Sequence, residues 1–214
     1  MNPCIIFRAP SHFGVRSLTP EKLRDRVWFT RKAWIHAESR MLKNEHHTQL
    51  LLVVYAAYTT CVSVVMLKFP PKLEADKDLA DTAFAVLSII LLALSLYLNT
   101  KAFKDRATRF KQGYLDLHVI EHEAAALASS VTTNIAGPAC TALSDRYNKV
   151  LREVENHHTL DDVGGRLSAG SGLTSRHLTP AEMAQYYWWR TWRFGALSLV
   201  YIAPAAAVLW FHLK

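Results

Sequence analysis

The sequence predicts an all-α membrane protein: a transmembrane helical hairpin, a cytoplasmic coiled-coil-like helical layer, and a third membrane helix at the C-terminus. Three observations carry that expectation. No residue from Thr48 to Leu67 is charged, and none from Thr82 to Thr100. A hydrocarbon core about 30 Å thick needs roughly 20 apolar residues at a rise of about 1.5 Å, so either stretch can cross. The connector Lys68–Asp81 is too short for a domain, so the two stretches form an antiparallel hairpin. Outside the hairpin, apolar residues recur in steps of four and three, the period of helices with one apolar edge.

The 214 residues carry a net charge of +7, and its placement says more than its sum. Residues 1–47 hold nine Lys/Arg against four acids, and the loop 68–81 holds three Lys against four acids. Lys101, Lys104, Arg106, Arg109 and Lys111 follow the second stretch. Cations flanking spans stay in the cytoplasm, which places the N-terminus and both hairpin ends inside and the loop outside. No basic stripe with interleaved aromatics lies away from the bilayer, so direct nucleic-acid binding is not expected. The partners implied by composition are membrane lipid and, through the apolar helix edges, further copies of the chain. Cys4, Cys61 and Cys140 are too scattered for a disulfide framework or a zinc site. The short apolar run Cys4–Phe7 is no secretory signal, so the first span serves as the insertion signal.

Residues 1–18 lack periodicity and are expected to be mobile. Thr19-Pro20 is a helix start, with a hydroxyl cap and proline at the first helical position. Over 19–47, Leu23, Val27, Trp34 and Met41 lie among cations as an amphipathic helix, either continuous with the first span or flat at the interface. The hairpin then fills 48–100, and Pro70-Pro71 stops its first helix. Tyr55, Tyr58, Thr59, Thr60 and Ser63 make that helix less than fully apolar. In the second, Asp81, Ser88, Ser95 and Asn99 recur at seven, seven and four residues, on one face. Such a face serves helix packing in lipid or lines a lumen. Thr59, Ser63, Ser88, Ser95 and Asn99 are therefore the candidate pore-lining residues, and a lumen would need several chains.

Over 101–161 the helical layer continues from the second span without a break. Phe103, Ala107, Phe110, Tyr114, Leu117, Glu121, Ala124 and Ala128 form a heptad seam, interrupted over Ser129–Pro138. A second helix carries Leu143, Tyr147, Val150 and Val154. Phe103, Phe110, Tyr114, Leu117, Tyr147, Val150, Asn156, His157 and Asp161 are the candidate coupling and oligomerisation residues. Gly164, Gly165, Gly170 and Gly172 predict a flexible linker over 162–178. In the last segment, 179–214, Thr179-Pro180-Ala181-Glu182 is a capping box. Trp188, Trp189, Trp192, Arg190 and Arg193 then form a membrane-interface cluster ahead of the uncharged Phe194–Leu213. That run, broken by Pro204, either spans or lies re-entrant or interfacial.

Catalytic chemistry is not in evidence. There is no phosphate loop, nucleophile elbow or Cys-x-x-Cys, and no cofactor or catalytic residue is assigned. His157 and Asp161 are four apart, a metal half-site at most, so no metal is assigned either. Capping at a helix C-terminus explains this cluster better.

Several strings, in order, resemble the SLATT family, the SMODS- and SLOG-associating two-transmembrane effectors of bacterial conflict systems. They are Trp28-Phe29-Thr30-Arg31-Lys32-Ala33 and Ala37-Glu38-Ser39-Arg40-Met41-Leu42 before the first span. Arg106-Ala107-Thr108-Arg109-Phe110-Lys111 with Tyr114 and Leu117 follows the second, and Tyr147, Val150-Leu151, Glu155-Asn156-His157 and Asp161 come last. They cover about 28–161 and are most similar to the fifth subfamily. The resemblance implies a non-enzymatic effector of antiphage defence in the bacterial inner membrane. It would form an oligomeric pore on infection, causing growth arrest or cell death. It further implies a sensor or nucleotide-synthesising partner, of reverse-transcriptase type for this subfamily. The alternative is a constitutive membrane anchor that docks a partner enzyme.

Overall fold

The computed structural model describes residues 19–68, 74–129, 133–170 and 175–213. Among these every regular element is helical: α1 (Pro20–Lys68), α2 (Glu74–Thr100), α3 (Phe103–Ser129), α4 (Thr133–Glu153), α5 (Thr159–Ala169) and α6 (Pro180–Leu213). The expectation of a mobile segment over 1–18 lies outside the described residues, as do Pro70-Pro71. The chain divides into two compact units, Met1–Arg31 with Gly113–Asn156, and Lys32–Gln112 with His157–Lys214.

In the first unit the head of α1, the later part of α3, and α4 pack along their apolar edges. Leu23, Val27 and Phe29 of α1 are buried, as are Leu117, Ile120 and Ala124 of α3 and Cys140, Leu143 and Tyr147 of α4. The hydroxyls of Thr30 and Tyr147 meet at 2.9 Å inside this packing. Arg31 lies 2.9 Å from the Glu121 carboxylate, the one acid of the α3 seam. That pair is a charge contact without an aligned hydrogen bond, whereas the same guanidinium reaches His118 Nδ1 at 2.7 Å.

α1 is one continuous helix from Pro20 to Lys68, so its amphipathic part runs directly into the first uncharged stretch. This settles the choice left open by sequence: the helix that buries Trp34, Ala37 and Met41 continues unbroken through the uncharged stretch beginning at Thr48. Trp34 meets Phe110 edge-on, ring centroids 6.2 Å apart. Of the α3 seam, Ala107, Phe110, Leu117 and Ala124 are buried within the chain.

Three expectations are corrected. The helix leaving the second span is interrupted, since Ala102 has φ 45° and separates α2 from α3. Lys101 and Ala102 close the last turn onto Leu98 and Asn99 at 3.1 and 3.2 Å. A left-handed alanine carries strain of about 1–2 kcal/mol, so the neighbouring packing imposes it. The predicted break over Ser129–Pro138 is shorter than expected, because α4 begins at Thr133 and accommodates Pro138 in its second turn. Residues 159–169, most of which fall in the expected flexible linker, form α5, with Gly164 and Gly165 buried in it. A Cβ on Gly165 would sit 3.0–3.1 Å from the backbone of Lys32 and Ala33, and one on Gly164 would sit 2.9 Å from His36 Nδ1. These glycines let α5 touch the backbone of α1; they are contact residues, not hinges.

Candidate functional site

The apolar parts of α1 and α2 are long enough to cross a membrane, and none of either apolar stretch is buried. Leu67, Ile89 and Leu92 are 85%, 66% and 63% exposed. Ten such side chains left in water would forgo on the order of 15 kcal/mol, so lipid is the medium that fits these surfaces. The candidate pore residues lie on them. Thr59 donates to the Ala56 carbonyl at 2.9 Å, Ser63 to Thr59 at 2.8 Å and Ser88 to Phe84 at 2.9 Å. Each of these hydroxyls is satisfied by its own helix, the state required of a polar group facing hydrocarbon. Ser95 is half-buried and Asn99 exposed. Lys101 closes the second span, its ammonium 4.8 Å from the Tyr97 ring.

Above the first span the second unit builds a polar junction. His158 caps α5: its Nδ1 accepts the Leu160 N–H at 3.3 Å, and its own N–H donates to the Asp161 carboxylate at 3.0 Å. The cluster expected to close a helix C-terminus therefore opens an N-terminus, because α4 stops at Glu153 and the acids at 161 and 162 favour the positive end of α5. Asp161, only 3% exposed, receives both Nε and Nη2 of Arg40 at 2.7 and 2.8 Å. Burial lowers the pKa of His157 and of His36, and His36 Nε2 sits 3.1 Å from Ser168 Oγ.

α5 is tied to α6 through Arg166, which reaches Asp162 at 2.9 Å and Glu182 at 2.8 Å. Glu182 also closes the expected capping box, accepting the Thr179 N–H at 2.8 Å while its own N–H donates to Thr179 Oγ1 at 3.3 Å. The Arg166 guanidinium, with the Thr179 donors, holds the Glu182 carboxyl at about 2.

α6 runs beside α1 in the same direction. Arg193 donates to the Asn44 side chain, His47 Nδ1 lies 3.3 Å from the Tyr201 hydroxyl, and the Tyr55 hydroxyl donates to the Val200 carbonyl at 2.9 Å. Val200 stands four residues before Pro204, so its carbonyl is the one that proline, lacking N–H, leaves without a helical donor. Tyr55 replaces that donor, and α6 continues through Pro204 to Leu213. The sequence signal for this contact is a proline in an apolar run opposite a tyrosine in another, and sequence reasoning missed it.

A groove of about 210 Å³ opens between α1, α5 and α6, lined by Arg40, Lys43, Asp161, Trp189, Arg190 and Arg193, with Phe194 and Leu197 at its apolar end. Its one carboxylate is held by Arg40. Lys43 and Arg190 have no ion-pair partner among the described residues, and Arg193 has only neutral ones, Asn44 and the Trp189 ring 5.4 Å away. Burial, with the Arg40 charge, lowers the Arg193 pKa. Trp188 and Trp192 stand outside the groove, 74% and 72% exposed.

Of the candidate coupling residues, Phe110, Leu117 and Tyr147 are buried within the chain. Phe103, Tyr114, Val150 and His157 are half-buried and Asn156 is exposed. No group of three or more metal-ligating side chains is present among the described residues.

Two unburied apolar helices long enough to cross a bilayer are the signature of a membrane protein. The chain belongs to the SMODS and SLOG-associating 2TM effector domain family 5, whose profile matches residues 18–211. It is thus a membrane effector of a class named for its association with SMODS and SLOG partners. No curated protein and no solved structure matches the chain.

Proposed function

We propose that this protein is a non-enzymatic effector of bacterial antiphage defence that sits in the inner membrane with its N-terminus in the cytoplasm. Its spans assemble from several chains into a path that permeabilises the membrane on infection, halting growth or killing the cell. The observation that carries this reading is the pair of wholly unburied apolar helices bearing one-sided hydroxyl and amide groups, in a chain of an effector family. Thr59, Ser63, Ser88, Ser95 and Asn99 are the lining we propose. The hydroxyls now satisfied inside their own helices are free to turn toward water in a lumen without breaking a backbone bond. The parallel packing of α6 on α1 supports a third crossing by residues 194–213.

The trigger acts on the head, through a sensor or nucleotide-synthesising partner of reverse-transcriptase type. Opening requires two arrangements of the head with unequal affinity for that partner. Because Phe110, Leu117 and Tyr147 are buried inside one chain, they serve coupling within the protomer, and assembly falls to the lipid-facing helices.

The buried seam also suits the rival reading, a constitutive anchor that docks a partner enzyme through its head. Expression in a bacterium with its neighbouring gene product, during phage challenge, separates the two. The effector reading expects loss of membrane potential, abolished by Ser88→Leu with Ser95→Leu while insertion is unchanged. Unchanged potential and growth in the wild type would leave only the anchor.

A further inference from the structure

We infer that the groove between α1, α5 and α6 is a seat for the phosphate of an anionic phospholipid headgroup, held by Lys43, Arg190 and Arg193. The inference rests on the proposed membrane placement of α1 and α6 and not on pore formation. Charge is the first argument. The groove brings four cations around a single carboxylate, and Arg40 already neutralises that carboxylate through two hydrogen bonds. Three cations remain without an anionic partner among the described residues. Holding them together is unfavourable unless an anion joins them.

Position is the second argument. Lys43 stands five residues before Thr48, where the first uncharged stretch begins, so it lies about 7.5 Å along α1 from the hydrocarbon edge. Arg190 and Arg193 stand four and one residues before Phe194, about 6 and 1.5 Å along α6. The headgroup layer is roughly 5–8 Å deep on each side, which is the depth these cations sample. A soluble anion would have no need of the groove's other end, where Phe194 and Leu197 offer an apolar wall to an acyl chain. Trp189 adds an aromatic face under Arg193, of the kind that settles at the glycerol level. Basic pockets between membrane helices on the cytoplasmic side bind such headgroups elsewhere by the same physics. Lipid seated here would bridge α1 to α6 and stiffen the junction that carries α5.

The test uses the full chain in nanodiscs of phosphatidylcholine doped with phosphatidylglycerol, with bound lipid counted by native mass spectrometry after release. Wild type is expected to retain phosphatidylglycerol over phosphatidylcholine. Each surface cation contributes about fivefold, so Lys43→Gln with Arg190→Gln should lower retention about 25-fold. Lys104→Gln with Lys111→Gln, away from the groove, should leave it unchanged. Lys43→Arg with Arg190→Lys keeps the charge and should keep the lipid, which guards against a folding artefact. Equal retention by wild type and the groove variant overturns the inference, as does loss in the charge-keeping variant. Glycerol phosphate added to detergent-solubilised, lipid-free protein is the remaining arm. Saturable binding of it as tight as that of phosphatidylglycerol would assign the seat to a soluble phosphate and overturn the lipid assignment.

Discussion

Replacing Tyr55 by Phe removes one hydroxyl from the first span and exposes an unusual debt in another helix. Pro204 leaves the Val200 carbonyl without its helical donor, and the Tyr55 hydroxyl supplies one at 2.9 Å. Hydrogen bonds between membrane helices average about 0.6 kcal/mol and reach about 1.7, because the unfolded chain in lipid also finds partners. Val200 has no intrahelical substitute, so the upper part of that range applies, about 1–1.7 kcal/mol. That corresponds to a five- to twentyfold shift in the folding equilibrium. The discriminating control is Pro204→Ala, which returns an N–H to α6 and gives Val200 its own donor. In that background Tyr55→Phe should lower stability by less than about 0.5 kcal/mol. Reversible unfolding in mixed micelles titrated with dodecyl sulfate, followed by helical circular dichroism, measures all four corners of the cycle. A Tyr55→Phe effect of equal size with and without Pro204 would refute the reasoning, since it would show that the hydroxyl acts elsewhere.

Two further outcomes follow from the head. Gly165→Ala forces a methyl to about 3.0 Å from the α1 backbone at Lys32 and Ala33, so it should destabilise by about 1–3 kcal/mol despite alanine's better helix propensity. A thermal melt at or above the wild-type value would show that α5 can move away freely. Stability should also fall with acid in two windows. His36 and His157 have folded pKa values lowered by burial, so the unfolded chain takes up more protons and stability drops as pH falls below about 6.5. Glu182 is lowered from 4.5 to about 2, so its contribution is complete above 4.5 and disappears as pH falls from there through about 2. Melting temperatures across pH 7.5–5 should decline in wild type and less in His157→Gln; a flat wild-type profile would contradict the first window.

Local chemistry was enough to read the membrane class, two apolar helices long enough to span, the apolar edges of α1, α3 and α4, and the capping box at Thr179. All of these are written in local chemistry: a run without charge, a step of four and three, a hydroxyl three residues before a carboxylate. What occupies each edge is not local. The seam Phe103–Ala128 has the same pattern whether it meets another chain or, as at Trp34 and Phe110, its own α1. Gly164-Gly165 spells flexibility when no partner is known, and close approach once α1 lies against it. The His157–Asp161 cluster suits either end of a helix until Arg40 arrives from 121 residues away to hold Asp161. The strained turn at Ala102, the rescue of the Val200 carbonyl and the cationic groove likewise depend on distant segments meeting. Backbone propensity and period decide what forms, and long-range packing decides what each face does; that second choice belongs to the tertiary structure alone.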